Sequence, residues 1–400
     1  MPFAAALSEH PITAHAVGEV TGAVLEQLGE RPDAAFVFVT PPHAGALEDV
    51  AGAVAAVLCP LALVGCAAES VVGPHREVEH HAAVSLLAAR TGPVLPIALD
   101  AVVGPDGLDV RGWPDRLGFA PRALVLLADP FSFPTEPFLA WVEARVPGLP
   151  VVGGMASAAR GPGGNRLALG PRVRDRGAVG VLLGPGVDVE TVVSQGCRPF
   201  GRPLVVTRAE RNLVVELAGR PALERLAEQA ELALGVGERS TLELGGLHIG
   251  VVIDEHGERF GRGDFLVRNV LGADGRTGAL VLGDTVAVGT TVQFHLRDAD
   301  SATEDLRLAV AGRRAGGVLL FTCTGRGSRL FDTPSHDVGI VAEHLGPVPV
   351  AGCFAAGEIG PVGGKNFVHG FTASMALLRD SPDRPEPFGS SAGRQGRLGA

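Results

Sequence analysis

The sequence predicts an α/β fold in which three repeated strand-helix-strand-loop-strand units form a layered sandwich. Three segments show the same succession of apolar runs, and the second run of each reaches a glycine, at Gly65, Gly153 or Gly352. The first two runs of each segment are continuously apolar, as buried parallel strands are. A helical stretch joins them, which is how parallel neighbours are connected. We therefore expect helices outside the sheets.

The units follow one order along the chain. Their first two strands are expected at 36–40 and 61–66, at 124–128 and 150–154, and at 318–322 and 349–353. Glycine-bounded loops follow at 65–73, 153–161 and 352–364. A third strand, able to pair antiparallel, is expected at 82–89, 178–183 and 371–378.

A different pattern separates the second unit from the third. Residues 187–313 contain short apolar runs bounded by turn residues, with helical stretches at 221–234 and 302–310. Such runs predict an antiparallel meander inserted between the two units.

The composition argues against several classes of protein. The chain has 34 basic and 44 acidic residues, a net charge of −10, whereas a nucleic-acid-binding protein needs a clustered basic face. Its five cysteines form no Cys-x-x-Cys pair, which suits a reducing cytoplasm. Residues 50–68 are uncharged, but Pro60 divides them into an amphipathic helix and a short strand. We therefore expect a cytoplasmic protein without a membrane span.

The last glycine-rich loop is the main candidate for a site. It carries Glu358, Lys365, Asn366 and His369, and Lys365 is the only lysine of the chain. Glu358 could hold the amino group of a zwitterion and Lys365 its carboxylate, with Asn366 serving either. The alternative is a Glu358–Lys365 ion pair that closes the loop. Glycines without a Cβ would let a ligand approach the backbone. Those we include are Gly65, Gly352, Gly363 and Gly364.

Four further residues have a functional and a structural interpretation. Arg297 and Arg326 are candidate anion ligands, although Arg326 equally suits a solvated loop. Cys66 and Cys353 occupy matched positions after a glycine, where a nucleophile would be exposed on a turn, but cysteine is also a small core residue. We include all four among the candidate ligand-binding residues, and we predict no metal site.

Several longer motifs resemble those of FIST proteins. In the N-terminal half they are Leu63–Cys66, Arg76–Glu79, Gly196–Gly201 and Val206–Arg208. In the C-terminal half they are Gln293–Ser301, Glu304–Leu306, Gly352–Cys353, Gly357–Phe367 and His369–Thr372. The N-terminal copy has Val71 where family members often carry an acidic residue. The resemblance spans roughly residues 34–378 and implies an N-terminal helical extension (1–33), a FIST N-terminal domain (34–220), a FIST C-terminal domain (221–380) and a disordered tail (381–400).

The resemblance also implies a function. We expect a stand-alone sensory protein that binds an amino acid or a small carboxylate and signals through a separate partner. The family has no settled enzymatic reaction, and we expect no cofactor. Two alternatives stay open: a haem-binding nitric-oxide sensor with His336 or His369 as axial ligand, and an enzyme using Cys66 or Cys353. A protein-interaction module is a further possibility.

Overall fold

The computed structural model describes residues 2–105, 107–242, 246–257, 260–261 and 263–381. The tail predicted over 381–400 lies outside the described residues from position 382 onward. Strands of the first half of the chain are β1 (Phe3–Ser8), β2 (Ala34–Val39), β3 (Ala62–Ala67), β4 (Ser70–Gly73), β5 (Arg76–Glu79), β6 (Val84–Ala89), β7 (Val94–Gly104), β8 (Gly107–Arg111), β9 (Ala123–Ala128), β10 (Val151–Met155), β11 (Leu167–Leu169), β12 (Arg172–Arg174), β13 (Ala178–Leu183) and β14 (Val187–Ser194).

The later strands and the helices complete the described fold. The strands are β15 (Arg198–Glu210), β16 (Leu213–Leu217), β17 (Arg220–Pro221), β18 (Leu247–Val252), β19 (Phe265–Asp274), β20 (Ala279–Leu282), β21 (Thr291–Leu296), β22 (Gly317–Cys323), β23 (Val350–Ala355), β24 (Glu358–Val362), β25 (Lys365–His369) and β26 (Ala373–Asp380). The helices are α1 (Thr13–Leu28), α2 (Pro41–Ala44), α3 (Leu47–Leu58), α4 (Thr135–Arg145), α5 (Ala222–Ala233), α6 (Val236–Thr241), α7 (Ala299–Val310) and α8 (His336–Leu345). The mixed α/β class is confirmed.

Three sheets in the described part of the chain share one arrangement. In each, a parallel pair (β2–β3, β9–β10 or β22–β23) has an antiparallel strand (β6, β13 or β26) beside its first member. A further strand, β1, β7 or β14, lies next to that antiparallel strand. The first 33 residues, predicted as a helical extension, thus also supply β1 of the first sheet.

Hairpins are exchanged between the three sheets. The predicted loops at 65–73 and 352–364 each contain the first strand of a hairpin, whereas the hairpin of the second unit follows the loop predicted at 153–161. Each hairpin leaves its own unit. The β4–β5 hairpin pairs with β23, the β11–β12 hairpin with β3, and the β24–β25 hairpin with β10. The exchange is cyclic, because the hairpin of the first unit joins the third sheet, that of the second joins the first sheet, and that of the third joins the second sheet. It also moves the C-terminal candidate residues onto the sheet of the second unit.

The three glycines that mark the repeats lie inside strands. A Cβ at Gly65, Gly153 or Gly352 would overlap the carbonyl oxygen of the residue opposite in the parallel partner strand. Glycine is therefore required for the close approach of two strands. The close strand approach accounts for Gly65 and Gly352 without a ligand, so their predicted ligand contact has no support from this geometry.

The central core lies between the three sheets. Apolar side chains of all three units meet there, and the rings of Phe38 and Phe321 pack edge to face with centroids 6.0 Å apart. Helices α1 and α3 cover the outer face of the first sheet and α4 that of the second. Helices α7 and α8 cover the third sheet.

The segment between the second and third units forms a fourth, antiparallel sheet in the order β15-β21-β18-β19-β20-β16-β17. Strand β15 also pairs with β16, so that six of its strands close into a barrel. Its strand β19 faces the second sheet across the β24–β25 hairpin, and the cavities described below lie between them. No helix among the described residues is long and apolar enough to cross a membrane.

Candidate functional site

The β24–β25 hairpin fixes where the C-terminal candidate residues lie. Val362 pairs with Lys365 across a two-residue turn, in which Gly363 and Gly364 both have positive φ, +57° and +77°. This geometry is that of a type I′ turn, which glycine adopts without strain. The turn therefore accounts for both glycines without a ligand.

Glu358 and Lys365 occupy opposite ends of this hairpin. Glu358 pairs with His369, whereas Lys365 pairs with Val362 four residues further along β24, roughly 13 Å away at strand spacing. Glu358 is fully buried and Lys365 is exposed. The predicted clamp, in which these two side chains hold the ends of one amino acid, is therefore wrong, and so is the alternative ion pair between them.

The Glu358 carboxylate faces the protein interior. Its Oε2 accepts hydrogen bonds from the backbone N–H and the hydroxyl of Thr372, at 3.0 and 2.9 Å. Its Oε1 has no hydrogen-bond partner among the described residues. Burial raises the pKa of this carboxyl to about 8, against the bonds from Thr372, which lower it. Glu358 is thus a buried, largely protonated acid at neutral pH.

His369 and Asn366 are also held by the protein itself. The Nε2 of His369 lies 2.9 Å from the Gly360 carbonyl, and burial lowers the pKa of the ring to about 4. The Asn366 amide accepts from the Val151 N–H and donates to the Leu149 carbonyl, both at 2.8 Å. Asn366 therefore fastens the hairpin to the start of β10.

The two predicted arginines are structural. Arg326 is fully buried, and its Nε and Nη2 bind both carboxylate oxygens of Asp337 at 2.7 and 2.8 Å, so the prediction of a flexible basic loop is wrong. Although burial opposes it, Arg326 holds the pKa of the Asp337 carboxyl well below its usual range. Arg297 donates to the Gly325 carbonyl at 2.7 Å and lies over the ring of Phe371.

The matched cysteines lie in the central core. The Sγ atoms of Cys66 and Cys353 are 4.0 Å apart, and both residues are fully buried. The contact with Cys66, together with burial, raises the pKa of the Cys353 thiol. A nucleophile needs an accessible thiolate. The geometry therefore gives no support to an enzyme that uses either cysteine.

Neither candidate histidine suits a haem axial ligand. Both ring nitrogens of His336 are engaged, by Thr303 at 2.8 Å and Asp337 at 2.9 Å, and its ring stacks on Phe331. His369 borders a cavity whose other groups include Arg268 and further charged side chains, unlike the apolar face of a porphyrin. These two histidines and their surroundings therefore do not fit haem. No group of three or more potential metal ligands occurs among the described residues.

A groove brings the remaining C-terminal residues together with two other elements. One cavity of about 400 Å³ lies between the hairpin, helix α4 and barrel strand β19. Its lining residues are Glu136, Leu139, Ala140, Glu143, Leu266, Arg268, Lys365, Asn366 and Phe367. This volume lies within the range of ordinary ligand pockets. The wall is largely apolar and the charged groups lie on three different elements.

A second cavity of about 380 Å³ continues the groove along β25 beyond Arg268. It shares Glu136 and Arg268 with the first. Its remaining lining residues are Val267, Asn269, Gly283, Asp284, Ala356, Val368, His369 and Gly370. We call the two cavities together the hairpin groove.

Arg268 divides the hairpin groove. Its guanidinium contacts Asp284 at 2.9 Å, the Val368 carbonyl at 3.0 Å and Glu136 at 3.4 Å. Burial raises the pKa of the Glu136 carboxyl, and Arg268 opposes that effect. Arg268 thus joins the barrel to α4 and to the hairpin, and its own charge is balanced by two carboxylates.

Lys365 supplies a positive charge at the mouth of the first cavity. Within the described ranges its ammonium group forms no ion pair, and the Asp254 carboxylate interacts with it only at longer range. An unpaired ammonium beside an apolar wall can bind an anionic group of a ligand. Of the predicted site residues, Lys365 is the one whose charged group is exposed and forms no ion pair among the described residues.

Sequence reasoning missed Glu136, Arg268 and Asp284. Each lies far from the C-terminal loop in sequence, on α4, on β19 and after β20. They meet the hairpin only because it joins the second sheet instead of its own. Repeat periodicity carries no signal of that exchange, although Glu136 begins a helix at the carboxyl end of a parallel strand, where ligand sites are common.

Comparison with known proteins supports the family resemblance that the sequence motifs indicate. A model of the FIST N domain matches residues 33–220, and a model of the FIST C domain matches residues 203–361. An uncharacterized protein of Mycobacterium tuberculosis is 43% identical over 390 residues, covering 95% of this chain and all of the relative. An uncharacterized protein of Mycobacterium bovis is 43% identical over 378 residues, covering 92% of this chain and 97% of the relative.

Proposed function

This chain belongs to the FIST family, whose domains are generally sensory, and we propose that it senses a small carboxylate-bearing molecule bound in the hairpin groove. The observation that carries this proposal is the unpaired ammonium of Lys365 at the mouth of a largely apolar cavity of about 400 Å³. An amino acid or a small organic acid has the matching chemistry, since it combines a carboxylate with a compact apolar or polar side chain.

The charges of the groove suggest one orientation of such a ligand. Its carboxylate would bind the Lys365 ammonium, and its apolar part would pack on Leu139 and Leu266. An amino group would lie toward Glu136, which takes the role that the sequence analysis gave to Glu358.

Signalling would use the contacts of Arg268. Because Arg268 ties the barrel to α4 and to the hairpin, a ligand beside it would bias how these elements pack. We propose that a separate partner protein reads this change.

The test is ligand-dependent stabilisation of the purified protein. Thermal unfolding is measured with the twenty amino acids and a set of C2–C6 carboxylates. At a concentration of 100 times Kd, a ligand stabilises by about 2.7 kcal/mol. We expect Lys365→Ala to abolish the shift and Lys365→Arg to retain most of it.

Arg172→Ala is the matched control, because Arg172 is an exposed cation on β12, away from the groove. It should respond to ligand as the unchanged protein does. The proposal would be contradicted if no compound shifted the transition, or if Lys365→Ala responded as strongly as the control.

A further inference from the structure

The first cavity of the hairpin groove runs along the edge of β25 instead of over one face of the sheet. Lys365, Asn366 and Phe367 all line it. Successive residues of a strand point to opposite faces, so three consecutive residues can share a cavity only if it adjoins the edge of the strand. Strand β25 is the outermost strand at this side of its sheet.

The backbone of Asn366 points into this cavity. Asn366 lies opposite Pro361, which has no N–H to donate, and the two-residue turn makes Val362–Lys365 the hydrogen-bonded pair. By alternation, Asn366 and Val368 direct their N–H and C=O groups away from β24. The Arg268 guanidinium confirms this direction, since it reaches the Val368 carbonyl from outside the sheet at 3.0 Å.

The two ends of this open edge differ in charge. At the Val368 end, Arg268 donates to the Val368 carbonyl and so takes the place of the N–H that a neighbouring strand would offer. The carboxylates of Glu136 and Asp284 lie beside Arg268. At the other end stands the unpaired Lys365 ammonium. The Glu143 carboxylate, the other acid of the first cavity, accepts from the Gly148 N–H at 3.3 Å.

We propose that the groove binds the C-terminal end of an extended peptide as an added strand, antiparallel to β25. This deepens the proposed function and rests on it, because it names the class of carboxylate. The penultimate peptide residue would exchange two backbone hydrogen bonds with Asn366, and the terminal carboxylate would bind Lys365. The terminal side chain or its neighbour would pack on Leu139 and Leu266.

The charges at the two ends of β25 favour an antiparallel peptide over a parallel one. An antiparallel peptide ends beside the first residue of β25, which is Lys365, so its carboxylate meets the ammonium. A parallel peptide would instead place its amino terminus there and its carboxylate near Glu136 and Asp284. A free amino acid has no residue before its carboxylate, so it cannot place that carboxylate on Lys365 and also form the paired strand hydrogen bonds with Asn366.

Isothermal titration with four peptides tests the proposal. The parent is acetyl-Leu-Ala-Leu with a free carboxylate, and the second has a C-terminal amide. The third carries N-methylalanine, which removes the N–H that would donate to the Asn366 carbonyl. The fourth carries N-methylleucine at its first residue, whose N–H would point away from β25, and it is the matched control.

We expect the amide to bind about tenfold more weakly than the parent, and N-methylalanine to weaken binding about fivefold or more. The N-methylleucine control should bind within about threefold of the parent. Lys365→Ala should bind acid and amide equally.

Two results would overturn the proposal. If the N-methylalanine peptide bound as tightly as the parent, strand addition would be excluded. If free leucine bound as tightly as the tripeptide and depended on Lys365, the peptide assignment would fail while the proposed function stood. Absence of binding by all peptides, amino acids and small carboxylates would reject both.

Discussion

Two arginine-centred clusters in this protein use the same chemistry at different depths. Arg326 and Asp337 form a pair with side chains 0% and 2% exposed, beneath the third sheet. Arg268 contacts Glu136 and Asp284 in the hairpin groove, where the side chains are 14%, 55% and 34% exposed. The difference in burial suits the two clusters to different roles. A fully desolvated pair must be satisfied by the protein itself, whereas a partly solvated one borders space that a ligand can enter.

The largest effect should come from breaking the buried pair. Arg326→Met leaves the Asp337 carboxylate desolvated without its main partner, so we expect a loss of about 3 kcal/mol or more in the free energy of unfolding. Urea unfolding measures it. Combining Arg326→Met with Asp337→Asn should restore part of the loss, because the uncompensated charge is then removed. A loss below about 1 kcal/mol in the single variant would show that the pair is not buried as described.

A pH-dependent effect should appear at Glu358. Its pKa is about 8 in the folded protein against an ordinary value of 4.5, so the unfolded chain releases this proton first. Stability contributed by the protonated group is complete below about pH 4.5 and is lost as the pH rises toward 8. Glu358→Gln, which stays neutral, should therefore gain about 2 kcal/mol relative to the unchanged protein between pH 5 and pH 6.5.

Urea unfolding at the two pH values checks this prediction. Glu143→Gln, the same substitution at a partly exposed carboxylate of the groove, is measured alongside for comparison. A Glu358→Gln difference that stayed constant with pH would mean that Glu358 is ionised in the fold.

Substitution of Arg268 in the hairpin groove should lower the free energy of unfolding less than substitution of the buried Arg326. Arg268→Gln removes contacts to partly solvated carboxylates and to one carbonyl, so we expect a loss of about 1 kcal/mol. Salt distinguishes the two clusters. In 1 M NaCl the loss for Arg268→Gln should shrink, while that for Arg326→Met should persist, because buried pairs are screened much less. If salt changed the stability loss equally in both variants, the two clusters would not differ in solvent screening as we expect.

The smallest effect on stability should be that of Lys365→Ala. Its ammonium has no partner within the described ranges, so the free energy of unfolding without ligand should change by less than about 0.5 kcal/mol. The same variant should lose the stabilisation by ligand. Chemical unfolding with and without a bound carboxylate separates the two properties, and a large loss without ligand would show that Lys365 holds the fold.

The sequence by itself predicted the main strands of the three repeated units, whereas the packing role of their glycines came from the structure. Continuous apolar runs such as 36–39 and 318–321 predict buried strands because burial on both faces leaves no polar position. The longer motifs likewise identified the family. The sequence also placed the candidate loop at 352–364 and the single lysine, Lys365, beside it, and the contact of Lys365 with a ligand stays a prediction.

Only the tertiary structure decided which candidates face solvent. Glu358, Cys353 and Arg326 are polar or reactive residues of the same region, and all three are buried. The hydrophobic pattern of a strand tells which residues are buried, but it does not tell which sheet a hairpin will join. That choice depends on hydrogen-bond register between distant strands, and here it brought Lys365 to Arg268 and α4 and took Glu358 into the core.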